Sequence, residues 1–178
     1  MKFLVIGDFH IPERSAEIPR WIRKIIEKEK FDMVLCTGDL TGMKVINYLA
    51  KLAPVKYVLG NMDTLQLPES ELIAAKGLRL LLVHGTEVHP RGDLPQLNEL
   101  RKEAKADLLV CGHTHTLRVD EYEGKLFINP GTATGVWGGV SGATDETFII
   151  MEIEKNNVNL QLFKNGKLFK KISFVVKK

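Results

Sequence analysis

Cysteine is scarce in this chain: Cys36 and Cys111 are the only two among 178 residues. Each lies in or at the end of an apolar run, without the paired spacing of a thiolate metal site, so buried free thiols in a reducing compartment are expected. Long apolar runs are absent as well. No segment reaches the roughly 20 residues a membrane-crossing helix needs, and the apolar opening through Ile6 is too short, and lacks the cleavage site, for a secretory leader. A cytoplasmic protein with no membrane insertion is the expectation. Charge of one sign is also missing, with Lys+Arg 25 against Asp+Glu 22 for a net +3. The excess is partly local, at Lys164, Lys167, Lys170, Lys171, Lys177 and Lys178. No alternating basic and aromatic pattern accompanies these lysines, so they read as a solvated strand face and charged tail rather than a nucleic-acid surface. Repeats, low-complexity stretches and composition shifts are lacking too, and residues 1–178 are expected to form a single domain.

What is present is a succession of apolar runs, each closed by a polar turn. Lys2–Ile6, Met33–Cys36, Val55–Leu59, Leu78–Val83 and Asp107–Val110 read as strands buried on both faces. Ile18, Trp21, Ile22, Ile25 and Ile26 recur with helical spacing, and Pro19 suits a first turn, which predicts a helix to about Lys30. Val45, Ile46, Leu49 and Leu52 suggest a short helix stopped before Pro54, and Leu94–Ala104 a third. The chain then changes character. Arg118–Glu121 and Leu126–Ile128 flank Glu123-Gly124, Phe148–Ile153 and Val158–Phe163 flank Lys155-Asn156-Asn157, and Asn165-Gly166 opens a final hairpin. A βα-like part is therefore followed by an antiparallel part, with a long ordered loop at Gly131–Gly142 between them.

The chemistry lies in the closing turns. Cys111-Gly112-His113-Thr114-His115 places two histidines one residue apart; an extended segment would aim them oppositely, whereas a tight turn would bring both into one cavity. Asp8 with His10, Asp39, Asn61, and His84 likewise follow apolar strands. Singly, these are ordinary turn, cap or loop residues. Jointly, they are seven N and O donors at the carboxyl ends of five strands, where open α/β sheets build ligand sites. Seven ligands exceed one tetrahedral zinc site and suggest two ions. Asp39 is the candidate bridge, with Asp8, His10 and His115 on one ion and Asn61, His84 and His113 on the other. Two divalent ions against two carboxylates leave a positive site, suited to attracting phosphate and generating hydroxide. His89 is left over as a surface residue.

Gly7-Asp8-Phe9-His10, Gly38-Asp39, Gly60-Asn61-Met62-Asp63, His84-Gly85 and Gly112-His113-Thr114-His115 together resemble the calcineurin-like metallophosphoesterases. Asp8–Pro12, Leu35–Gly38, Arg91-Gly92-Asp93 and Ile128–Gly135 are especially similar to the branch of small prokaryotic phosphodiesterases that includes the retromer vacuolar-sorting subunit. The resemblance implies an α/β fold with two mixed β-sheets packed as a sandwich flanked by helices. It also implies two divalent metal ions, Mn²⁺ foremost with Ni²⁺, Fe or Zn²⁺ as alternatives, and hydrolysis of a small phosphoester, a phosphodiester in this branch, by a bridging hydroxide.

Two positions depart from the family pattern. Met62 stands where a His usually assists as general acid after the Asn, with Asp63 or His89 as replacements, and Asn61 and Asp63 are the residues expected to act beside the ions. Thr86 stands where relatives often have a second His. The alternative function is a catalytically weak interaction subunit that docks a helical protein partner through Val136, Trp137 and Val140. None of these features fixes an oligomeric state.

Overall fold

The computed structural model describes residues 1–138 and 145–177. Eleven strands and three helices are found among them, in the order β1 (Lys2–Ile6), α1 (Arg20–Ile26), β2 (Met33–Cys36), α2 (Met43–Leu49), β3 (Val55–Tyr57), β4 (Ser70–Ala75), β5 (Leu78–Val83), α3 (Leu94–Glu103), β6 (Leu108–Val110), β7 (Leu117–Tyr122), β8 (Lys125–Pro130), β9 (Thr147–Glu154), β10 (Asn157–Lys164) and β11 (Lys167–Val175). One sheet has the order β11-β10-β9-β1-β2-β3 and the other β4-β5-β6-β8-β7. In the first, β1 runs parallel to β2 and antiparallel to β9. In the second, β5, β6 and β8 are parallel, and β4 and β7 flank them antiparallel.

The apolar runs are continuous because both faces of their strands are covered. Phe3 and Val5 of β1 face the space between the sheets, together with Leu80 and Leu82 of β5 and with Leu108 and Val110 of β6. The alternate residues Leu4 and Ile6 point outward, beneath Ile22 and Ile26 of α1 and Val45 and Leu49 of α2. Leu81 and Leu109 likewise point outward, under Leu97 of α3. Period-two alternation thus feeds three apolar layers, and the result is the expected sandwich with helices outside.

Several boundaries differ from the expectation. α1 ends at Ile26, and Lys28 and Glu29 donate instead to the carbonyls of Ile25 and Ile26 in tighter i→i−3 turns. Strand β4 has no counterpart in the sequence reading. Its apolar run Leu72-Ile73-Ala74-Ala75 does not alternate, Leu72 is exposed, and it pairs with β5 through Lys76-Gly77, both at positive φ as a two-residue hairpin turn requires. The Gly131–Gly142 loop is described only as far as Gly138, so Val140 lies outside the described residues, as does Lys178. Among the described residues, no helix is long and apolar enough to cross a membrane.

Candidate metal centre

The parallel strands β1, β2 and β3 end at the same edge of one sheet, and β5 and β6 at the same edge of the other. The loops that follow them are tied to one another within each sheet, and the segment after β8 ties the two sheets together through Thr132, Ala133 and Thr134. Asp8 N–H donates to the Gly38 carbonyl (3.0 Å), Gly112 N–H to the His84 carbonyl (3.1 Å), and Ala133 N–H to the Gly7 carbonyl (3.0 Å). The Thr132 and Thr134 hydroxyls hold the carbonyls of Asp8 and Phe9 at 2.7 and 2.8 Å. Two sheets, rather than one open sheet, therefore bring the polar turns together.

Turning so sharply directly after a strand requires unusual backbone. Asp8, His10, Asp39, His113 and His115 all have φ between 47° and 67°. Side chains avoid this region, at a cost of order 1–3 kcal/mol per residue. It is the tight-turn alternative for the Gly112-His113-Thr114-His115 stretch, and it aims both imidazoles into one cleft. Close approach also fixes Gly60, whose Cβ would stand 2.1 Å from the Asp39 Oδ1 atom.

Asp8, His10, Asp39 and His115, all buried, offer ligand atoms within 4.8 Å of one another. His115 Nδ1 donates to the Val136 carbonyl (2.8 Å) and His84 Nδ1 to the Thr37 carbonyl (2.7 Å). A carbonyl only accepts, so each Nδ1 carries the proton and each Nε2 presents a bare lone pair. Around those lone pairs stand His10 Nε2, 3.1 Å from His115 Nε2, and further acceptors. His115 Nε2 lies 3.5 Å from Asp8 Oδ1, and His84 Nε2 lies 3.2 Å from Asn61 Oδ1 and 3.6 Å from Asp39 Oδ2. Asp39 Oδ2 also lies 3.3 Å from His10 Nε2, so one oxygen stands between the two groups of donors. Asp8 Oδ2 and His10 Nδ1 are buried without a hydrogen-bond partner among the described residues. His113 packs edge-on against His84 with ring centroids 4.9 Å apart, and its N–H donates to Asp8 Oδ1 at 3.3 Å.

Such convergence of acceptors suits cations. Burial, with smaller repulsion from His115 and Arg14, holds the His10 imidazole down to about 3. Burial and the neighbouring His84 do the same to His113, also to about 3. Burial lowers His115 as well. These rings are neutral at physiological pH, the form that ligates metal. Burial and then the Asp39 charge raise Asp8 well above the carboxylate range, and burial raises Asp39. The residues present fit divalent ions, whose charge would relieve both carboxylates.

Asp63 stands apart from this cluster. Its two oxygens accept backbone N–H groups from Thr41 (2.7 Å) and Gly60 (2.9 Å). Met62 lines the cleft, and its N–H donates to Asp39 Oδ1 at 2.8 Å. His89 is exposed, and its backbone is engaged by Gln96. Cys36 and Cys111 are buried free thiols, with Cys111 pushed up to about 12 by burial. Sequence reasoning missed the orienting contacts of Thr37 and Val136, which act through main-chain carbonyls and so leave no side-chain signal, and Arg14, which sits in an irregular loop.

Residues 1–156 match the family model of the calcineurin-like phosphoesterase superfamily domain. A Methanothermobacter thermautotrophicus protein described as "Probable metallophosphoesterase" is 36% identical over 165 residues, 91% of either chain. Among solved structures, wild-type Vps29 of Entamoeba histolytica complexed with Zn²⁺ superposes with TM-score 0.90 at 35% identity, covering 99% of this chain and 100% of that one. Chaetomium thermophilum Vps29 complexed with a cyclic peptide gives TM-score 0.85 at 26% identity over 100% and 98% of the two chains. The strand-end Asp/His cluster and these matches together establish that the chain belongs to the calcineurin-like phosphoesterase superfamily, in the small branch that also holds Vps29.

Proposed function

We propose that this chain is a binuclear metal-dependent phosphodiesterase of a reducing, cytoplasmic compartment, acting as a single domain. Asp8, His10, Asp39 and His115 would hold one ion, and Asp39, Asn61, His84 and His113 the other. The carrying observation is Asp39 Oδ2, 3.3 Å from His10 Nε2 and 3.6 Å from His84 Nε2, at the junction of the two donor groups. The Thr37 and Val136 carbonyls orient the outer histidines, the second-sphere arrangement that fixes the tautomer of a metal ligand. Manganese is the favoured ion, with nickel, iron or zinc as alternatives; N and O donors alone accept all of them. Ions bound there would lower the pKa of water toward neutrality and draw in the phosphate. The protein's own part is to hold the donors rigidly and to keep its imidazoles neutral. Asp63 braces the Asp39 and Asn61 loops through its two accepted hydrogen bonds. The decisive experiment is metal content per chain together with cleavage of bis(4-nitrophenyl) phosphate after each ion is restored. Two ions per chain and activity lost in Asp39→Ala are expected; an Asp39→Ala protein that binds metal and cleaves like wild type refutes the reading.

A second reading is an interaction subunit. It is favoured by Met62 at the cleft, by Trp137 standing 61% exposed on the loop above it, and by the Vps29 relative solved with a cyclic peptide. Stoichiometric recovery of one defined protein, undisturbed by Asp39→Ala and lost with Trp137→Ala, would support it.

A further inference from the structure

The two sides of the candidate centre carry opposite charge. On one side, a cleft of about 240 Å³ carries the guanidinium groups of Arg14 and Arg91 beside Trp137, against the single carboxylate of Asp39. On the other, a cleft of about 430 Å³ is lined by Glu69 and Glu87 with Thr86 and His84. Asn61 borders both. The arginines come from distant loops, one after β1 and the other after β5, yet they converge on a single strip of backbone. Arg14 Nη1 donates to the Trp137 carbonyl at 2.9 Å, and Arg91 Nη1 donates to the adjoining Gly138 carbonyl. Each guanidinium has five N–H groups in a fixed fork, so one spent on a carbonyl holds the side chain in place and leaves others for a ligand.

We propose that Arg14 and Arg91 bind a second anionic group, on one arm of the substrate, beyond the phosphate that is cleaved. This rests on the phosphodiesterase reading and names its substrate class: a diester with one arm carrying a further phosphate. A diester placed at the metal positions has two arms, and the clefts receive one each. The arm with added negative charge lies over Arg14 and Arg91, where bidentate guanidinium contacts favour phosphate. Glu69 and Glu87 repel it from the opposite side, so the same charges that bind it also set its direction. Trp137 offers the same arm an exposed aromatic face.

The 4-nitrophenyl ester of thymidine 5′-phosphate and the same ester bearing an added 3′-phosphate isolate this effect, since base and leaving group are shared. Hydrogen bonds to a charged group predict that the manganese-loaded protein favours the bisphosphate ester in kcat/KM by about tenfold, mainly through KM. Arg14→Ala combined with Arg91→Ala should bring the preference to about unity, and the Arg→Lys pair should keep part of it, because charge persists without the fork. The single Ala variants carry the test if the double variant does not fold. Equal use of the two esters by wild type, or a preference that survives removal of both arginines, overturns the proposal. Cleavage of bis(4-nitrophenyl) phosphate, which has no second anion, reports separately on the phosphodiesterase reading. If no diester is cleaved, that reading fails, and calorimetric titration of thymidine 3′,5′-bisphosphate against thymidine 5′-phosphate decides this one: equal affinities, or an advantage retained without the arginines, refute it.

Discussion

Asp63 ties the loop after β2 to the loop after β3, accepting the Thr41 N–H on one carboxylate oxygen and the Gly60 N–H on the other. The carboxylate therefore sets the spacing between Asp39 and Asn61 without touching the cleft. Asp63→Asn would turn an amide NH₂ toward one of those N–H donors. The expected cost is about 1–3 kcal/mol of stability, with weaker metal binding, read by denaturant midpoint and metal titration. A variant of unchanged stability that selectively loses cleavage of esters with basic leaving groups would make Asp63 a proton donor instead of a brace.

Asp8 gives a pH dependence whose sign is fixed. Burial and the Asp39 charge raise its folded pKa well above the unfolded 3.8. The folded state therefore binds this proton more tightly than the unfolded chain, and the stability it contributes is present below the unfolded value and lost as pH rises through the folded one. Asp8→Asn keeps the oxygen that accepts the His113 N–H and removes the buried charge. The metal-free variant should melt higher than metal-free wild type at pH 7, and the gap should close toward pH 4. With ions added the order should reverse if Asp8 holds an ion as proposed, because the variant lacks that charge. Thermal melts of both proteins across pH, with and without manganese, check all three points.

His10 and His113 act in the opposite direction. Burial, first of all, depresses both to about 3, against an unfolded 6.5. The unfolded chain takes up these protons first, so stability should fall from pH 6.5 downward, by about 1.4 kcal/mol per pH unit and group once below the unfolded value. Replacing both by Asn should flatten this acid limb in metal-free protein. An unchanged limb would mean that these rings are not held neutral by the fold.

The strands that bring these groups together were legible because of their layering. β1, β2, β5 and β6 are covered on both faces over most of their length, so Phe3–Ile6, Val34–Cys36, Leu80–Val83 and Leu108–Val110 are apolar throughout, and the polar residues that follow mark the strand ends where the cluster forms. Edge strand β4 was not legible: its Leu72 faces solvent while Ile73 is buried, which erases the alternation. The division of the cluster between two sheets was also hidden, because a run of apolar residues does not state which strand it pairs with. The contacts that orient the histidines were invisible for a different reason. The Thr37 and Val136 carbonyls belong to the main chain, and the Arg14 bond to Trp137 spans 123 residues, a distance over which only the folded topology decides proximity.

Met62 carries the last expectation. It lines the cleft beside Asn61, at the place where the family pattern has a histidine, and its own N–H is committed to Asp39 Oδ1. Substitution leaves that backbone bond intact, so Met62→His should introduce an imidazole without moving the Asp39 carboxylate. An imidazole there can protonate a departing alkoxide, a contribution of roughly 10²–10⁴-fold where proton transfer limits the rate. Nitrophenolate leaves without that help and should gain little. The comparison is thus internal to the substrate pair: an alkyl phosphodiester should accelerate by at least about tenfold relative to bis(4-nitrophenyl) phosphate, with a new pH limb from the added group. Equal change for both esters would place the rate-limiting step before departure of the leaving group and refute proton donation from position 62.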